Sequence, residues 1–547
     1  MRLRRACPAL VLCVVAAAPL HAQDAAALER RVDSLFARYQ KGVQPGLALA
    51  VIRDNRVVFR KSYGYASLEH GIPITTSSVF DAASVSKQFT GLAVSMLIDQ
   101  GRINLTDDVR KYIPEMYAFG PPITIEHLLH HTSGLRDWPG MLQLAGWNDG
   151  DVIAFNHILR FAYNQRTLNF VPGAEHTYSN TNYNLLAEVV ARVSGKSFRA
   201  FTDENIFRPL GMANTHFRTR LGDVIPNRAY SYSQERDSSF NLVANGLLAQ
   251  GSSSLFTTVD DLAKWVVNFG TYSVGGRSAV ERTLQPGRLN DGSPVKYGFG
   301  VLVDTWRGVP MITHNGSWAG YTSFTVYFPT LRGGVVILSN AGINSDAAGI
   351  GLSEIFFAKD LVPAAPPAKA AAAAGEAVGA APLDSYVGVY RLGPAWYVNV
   401  RRDGDILRVR ASGEDEFPMT MRSSREFWVE DYGASMTFEP GGLVYRGKKA
   451  PRVDLVGERP LRIADYVGDY ENSELSVTYQ VSVRDTSLVL RNFKRGSFPM
   501  VRAFGDEFRA GGSMAVAFER DATGKVIGFA VDMGERNRNV RFVRPRE

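Results

Sequence analysis

The chain has almost no cysteine. Cys7 and Cys13 are the two in 547 residues, and both stand where Arg2, Arg4 and Arg5 precede an apolar run from Leu10 to Ala18 and Leu20-His-Ala22 closes the segment. That order of charge, apolar core and small-residue end is the pattern of a cleavable signal peptide, expected over residues 1–22; Leu12 before Cys13 is too large for a lipoprotein site. A mature chain without cysteine has neither disulfides nor a thiol nucleophile, and a periplasmic or secreted location is expected. Long apolar runs are missing downstream, where none approaches the roughly 20 residues that cross a bilayer, so no membrane insertion is expected after signal removal. Dense Lys/Arg clusters are missing too. The formal net charge of +7 falls to +4 without the three leader arginines, which argues against a nucleic-acid partner.

Two catalytic signatures are also absent. No Gly-x-Ser-x-Gly string occurs, which argues against an α/β-hydrolase nucleophile elbow. Glu126, His127, His130 and His131 cluster, but without His-Glu-x-x-His spacing or a nearby cysteine they read as structural. No metal and no cofactor is expected. Asp260-Asp261, opening a run with Leu262 and Trp265, reads as a helix N-terminus rather than a carboxylate pair.

Three short strings remain: Ser84-Val-Ser-Lys87, Tyr178-Ser-Asn180 and His314-Asn-Gly316. A serine and a lysine three apart share a helix face, which puts the amine within reach of the hydroxyl. A lysine shielded from water loses its proton near neutral pH and becomes the base that a serine nucleophile needs. Phe89, Leu92, Ala93, Met96 and Leu97 follow at helical spacing until Gly101, so Ser84 is expected in the first turn of a core-facing helix. Tyr178 lies between the Pro172-Gly173 turn and the amphipathic run Tyr183–Val193. There it can share proton transfer with Lys87, as a phenolate if the cation is close, while Asn180 orients the lysine or grips a substrate carbonyl. The third string reads as an edge strand followed by a turn holding Gly316, Ser317, Ala319 and Gly320. The N–H groups of Ser84 and Ser317 form the expected oxyanion hole.

With Gly46–Val51, Phe80–Thr90, Ile123–Leu135, Tyr178–Tyr183, Pro209–Met212, Gly251–Leu255 and Tyr297–Gly300, the chain resembles the serine β-lactamase and penicillin-binding-protein superfamily. The likeness runs over about residues 30–360, in the branch of class C β-lactamases, esterases and D-aminopeptidases. The resemblance implies Ser84 as nucleophile, Lys87 and Tyr178 as acid–base pair, and Asn180, His314, Gly316 and Ser317 as ordering and substrate-binding groups. It also implies an α+β catalytic domain with an antiparallel sheet, helices on it, an all-helical subdomain and the cleft between.

Typical β-lactamases carry Lys-Thr-Gly where this chain has His314-Asn-Gly, and a neutral imidazole attracts a substrate carboxylate less than a lysine does. The expected function is therefore a secreted serine hydrolase that cleaves amides or esters through an acyl-serine, first of all a D-amino-acid peptidase on peptides or peptidoglycan fragments. Alternatives are a small-ester esterase, a weak β-lactamase, or a non-catalytic penicillin- or cell-wall-peptide-binding protein. The sequence leaves the oligomeric state open.

Past residue 361 the composition changes. A Pro/Ala stretch over 362–382 reads as a linker. Ser385-Tyr-Val-Gly-Val-Tyr390 then returns 80 residues later as Asp465-Tyr-Val-Gly-Asp-Tyr470, and Phe417-Pro-Met419 returns as Phe498-Pro-Met500. Apolar–polar alternation with turns such as Asp403-Gly404 predicts two antiparallel, barrel-like β modules over 383–460 and 461–547. The segment 23–361 is expected to be the hydrolase domain and to fold and acylate alone.

Overall fold

The computed structural model describes residues 20–148, 150–363, 383–412, 414–453 and 461–545. The expected signal peptide lies outside them apart from Leu20, His21 and Ala22, which open a helix Leu20–Leu35. The expected linker lies outside apart from Val362 and Pro363.

A six-stranded antiparallel sheet forms the frame of the first segment, in the order Leu302–Trp306, Val309–Trp318, Tyr321–Phe328, Gly333–Ser339, Leu47–Arg53, Arg56–Tyr63. The strands Tyr321–Phe328, Gly333–Ser339 and Leu47–Arg53 are buried at nearly every position because both faces are covered. Leu47, Leu49 and Val51 point into a core shared with Val32, Leu352 and Phe357 of the outer helices. Ala48, Ala50 and Ile52 point the other way, onto Phe89, Leu262 and Val266. That alternation along one strand sets the helix Ser86–Asp99 against the inner face. A helical layer with Ile125–Leu129, Phe155–Asn164 and Asn180–Ser194 stands beside it. Asp260 and Asp261 occupy the first turn of the helix Val259–Thr271, capped by Thr258.

The third motif departs from the expected edge strand and turn. His314, Asn315, Gly316 and Ser317 lie inside the strand Val309–Trp318, whose first half pairs with Leu302–Trp306 up to Thr313. From His314 onward the strand outruns that partner and, among the described residues, pairs only with Tyr321–Phe328. The turn holds Ala319 and Gly320, both at positive φ.

Each repeat makes eight strands. The first is a sheet from Gly388–Gly393 to Lys448–Pro451 whose ends bridge at Tyr390 and Arg452; the second is a closed barrel from Gly468–Asn472 to Val540–Val543. The repeat extends to single bonds: Tyr390 Oη donates to the Tyr386 carbonyl at 2.7 Å, and Tyr470 Oη to the Tyr466 carbonyl at 2.7 Å.

The second barrel is not a pendant. Its Tyr479, Met514 and Phe542 share one core with Trp138, Met141, Leu144 and Phe161 of the helical layer, and Tyr479 Oη donates to the Leu144 carbonyl at 3.1 Å. Arg136, 1% exposed at its side chain, donates across the boundary to the carbonyls of Arg538 and Asn539 and to Glu474. Removing the barrel would uncover a buried cation and an apolar face, which weighs against a hydrolase segment that stands alone.

Candidate active site

Ser84 sits in a short 3-10 turn, Ala83–Val85, that leads into the helix Ser86–Asp99. Ala83 takes a φ of 45°, strain held by buried Asp81, whose Oδ1 accepts the Ala83 N–H at 2.9 Å and whose Oδ2 accepts from Asn245 at 2.8 Å. Ser84 is partly exposed between buried neighbours.

Lys87 lies one turn on and is fully buried. Its Nζ donates to Asn180 Oδ1 at 2.7 Å and to the Ser252 carbonyl at 2.8 Å, and stands 3.2 Å from Ser84 Oγ. Burial drives its pKa well below the ordinary lysine value of 10.5; the Asp137 carboxylate opposes that shift and the Arg536 guanidinium adds to it. A neutral amine has two N–H groups. With those on Asn180 and Ser252, its lone pair points at the Ser84 hydroxyl.

Tyr178 lies two residues before the helix Asn180–Ser194, hydrogen-bonded to Ser84 with its ring 4.7 Å from Lys87 Nζ. Burial pushes its hydroxyl up from 10.0, with the Ser84 bond and Arg536 opposing, so it is a phenol and not the phenolate that sequence reasoning allowed. Burial shifts the amine down and the phenol up from their usual values, each toward its neutral form.

Gly316 explains why the third strand can lie beside Ser84. A Cβ there would stand 2.5 Å from the Ala82 carbonyl oxygen and 2.9 Å from the Ser84 nitrogen, so only glycine lets the strand and the Ser84 turn meet. Ser317 follows, exposed in the strand. His314 is buried, and both ring nitrogens are engaged by protein: Nδ1–H donates to the Asn315 carbonyl at 2.5 Å, and Nε2 accepts from Tyr297 Oη at 2.9 Å. Burial, reinforced by Lys87, lowers its pKa to about 3, so it presents no charge to the cleft.

Two residues were missed from sequence. Asp137, 3% exposed at its side chain, accepts the Asn180 backbone N–H at 2.7 Å and Asn180 Nδ2 at 3.1 Å, and so fixes the amide that holds Lys87. Arg536 reaches Asp137 Oδ2 at 3.3 Å from the second barrel and covers the Tyr178 ring at 4.7 Å. A signal for it was present in the repeat. The loop between the last two strands is Arg446-Gly447 in the first module and the polar run from Met533 to Asn539 in the second. The clustered histidines take separate structural partners: His127 caps a helix with Thr124, His130 bonds the Tyr297 carbonyl at 2.7 Å, and His131 Nδ1 accepts the Ser179 N–H at 3.2 Å.

The chain is 29% identical to a D-aminopeptidase of Gluconobacter oxydans over 342 residues, 62% of this chain and 63% of that protein; it thus spans less than two thirds of that relative. It is 27% identical to penicillin-binding protein 4* of Bacillus subtilis over 404 residues, 70% of this chain and 88% of that one. The octameric penicillin-binding protein homologue from Pyrococcus abyssi has the same fold at a TM-score of 0.55 and 21% identity, covering 87% of this chain and 99% of its own. Residues 32–352 match the Beta-lactamase family, and with the motifs assembled around Ser84 on that fold, the chain belongs to this family of serine hydrolases.

Proposed function

We propose that the protein hydrolyses amide or ester bonds through an acyl-Ser84 intermediate, with short peptides containing D-amino acids, such as peptidoglycan fragments, as its substrates. The observation that carries this is the buried amine of Lys87, 3.2 Å from Ser84 Oγ with its other hydrogen-bonding directions on Asn180 and Ser252. Lys87 takes the Ser84 proton as Oγ bonds to the carbonyl carbon. The oxyanion faces the Ser84 and Ser317 N–H groups. Tyr178 gives its proton to the departing nitrogen or oxygen, and water then releases the acyl group by the reverse route. The D-peptide assignment is supported by the D-aminopeptidase relative and by the uncharged His314 in place of a lysine. Export to the periplasm or medium is supported by the sequence from Arg2 to Ala22.

The test is a fluorophosphonate probe followed by mapping of the labelled peptide, then a panel of D- and L-aminoacyl p-nitroanilides, short acyl esters and a cephalosporin. The expected result is a covalent adduct on Ser84 and turnover that favours D-aminoacyl compounds. An unlabelled Ser84, or label that persists in Ser84→Ala, rules the acyl-serine route out. A labelled protein that turns over only esters, or only the cephalosporin, retains the chemistry and replaces the substrate.

A further inference from the structure

The cleft has no charge from its third motif, yet it contains a cation from elsewhere. Arg536 lies in the loop between the strands Val526–Asp532 and Val540–Val543 of the second barrel. Its backbone is pinned to the hydrolase segment, since its carbonyl accepts from the Asp137 N–H at 3.2 Å and from Asn169 Nδ2 at 2.8 Å. Arg538, two residues on, donates to Glu175 at 2.9 Å. The guanidinium is not consumed by these anchors. Nη1 reaches Asp137, Cζ lies 4.7 Å from the centre of the Tyr178 ring, and the side chain is 51% exposed. Among the described residues no other side chain bonds it, and a guanidinium has five N–H donors.

Its position selects the side of the substrate it would meet. Tyr178 donates to the leaving group, so a cation stacked on Tyr178 lies beyond the scissile bond on the leaving-group side. A cavity of about 670 Å³ lies beside the chain neighbours of Tyr178 and Arg536, lined by His176, Thr177 and Gly534 and by charges of both signs, Lys448 and Arg538 against Glu175 and Glu535; that is room for an amino acid or a short peptide. Asp137 offsets part of that charge but takes Nη1 alone, which leaves the other guanidinium N–H donors for a ligand oxygen.

We infer that Arg536 is the specificity-determining residue that receives a carboxylate on the leaving group, so that the preferred substrates are short peptides whose C-terminal carboxylate lies close behind the scissile bond. A planar fork suits a carboxylate better than a point charge does. The inference rests on the acyl-Ser84 reading and narrows it: the cation that typical relatives place on the third-motif strand comes here from a separate module.

The experiment compares 3-carboxyphenyl acetate with 3-carbamoylphenyl acetate in the full chain. Both transfer the same acetyl group to Ser84 and differ in leaving-group charge, so the ratio of their kcat/KM values, corrected for hydroxide-catalysed rates, cancels any effect on Ser84 activation. The expected ratio is about ten or more in the wild type, near one in Arg536→Gln and between the two in Arg536→Lys. A wild-type ratio near one overturns the inference while Ser84-dependent release keeps the acyl-serine reading. Parallel losses on both esters in Arg536→Gln, with the ratio retained, overturn it as well and make Arg536 a strut for Asp137. No Ser84-dependent release from either ester removes the acyl-serine reading, and the inference with it.

Discussion

Asp137 Oδ2 and Arg536 Nη1 stand 3.3 Å apart across the boundary between the helical layer and the second barrel, and they act on Lys87 in opposite senses. The carboxylate favours the charged lysine and the guanidinium disfavours it. In the proposed route Lys87 acts as a neutral amine, so kcat/KM should rise with pH through the Lys87 titration. Asp137→Asn should move that rising limb to lower pH and Arg536→Gln should move it to higher pH. Limbs that move the same way in both variants would show that neither charge sets the base.

Tyr178→Phe keeps the ring against Lys87 and His131 and removes the proton that the leaving group needs. We expect kcat to fall by about 10²–10³ with a smaller change in KM and no loss of fluorophosphonate labelling site. A kcat within a factor of two of wild type on an amide substrate would take Tyr178 out of the proton route.

Gly316→Ala should be costly for a single methyl group. The new Cβ meets the Ala82 carbonyl and Ser323 Oγ at 2.5 Å, so the strand or the nucleophile turn must move, at about 1–3 kcal/mol. Thermal unfolding and the rate of labelling at Ser84 both report it. Wild-type values for both would mean that the contact is absent in solution.

The parts legible in the sequence are those whose signal is local. Ser84 and Lys87 share one helix face, Tyr178 and Asn180 flank one helix start, and the repeated Tyr-Val-Gly units each fold into eight strands. His314 was misplaced because a stretch of β-formers with Gly316 and Ser317 inside it looks like a strand that ends in a turn. Pairing with Tyr321–Phe328 holds it extended through Trp318. Asp137 carries no motif of its own, and its role appears only when the chain brings it to Asn180. Arg536 is about 450 residues from Ser84; only the packing of the second barrel on Trp138 and Met141 relates them, and no spacing rule spans that distance.

Deleting 461–547 should leave an insoluble or inactive fragment. Arg136 would lose its bonds to Glu474, Arg538 and Asn539, leaving a cation built for burial with its bonds to Thr167, and Trp138 and Leu144 would lose their cover. A soluble 23–460 fragment that labels at the wild-type rate would show the interface to be dispensable.

His314 should make the fold sensitive to acid. In the unfolded chain an imidazole takes a proton below about pH 6.5. In the folded protein burial, reinforced by Lys87, disfavours the charged imidazole, so protonation waits until about pH 3. Between those values the unfolded state binds one more proton than the native state, and stability is lost as pH falls. At pH 5 the cost is about 2 kcal/mol, and the slope through this window is about 1.4 kcal/mol per pH unit. His314→Gln retains an acceptor for Tyr297 and cannot titrate, so whatever its stability at pH 7, it should lose less on acidification. Urea unfolding of both proteins at several pH values from 4 to 6 measures the difference in slope. Parallel lines would mean that the His314 imidazole is protonated in the native state as easily as in the unfolded one, and that the neutral histidine assigned to the cleft is wrong.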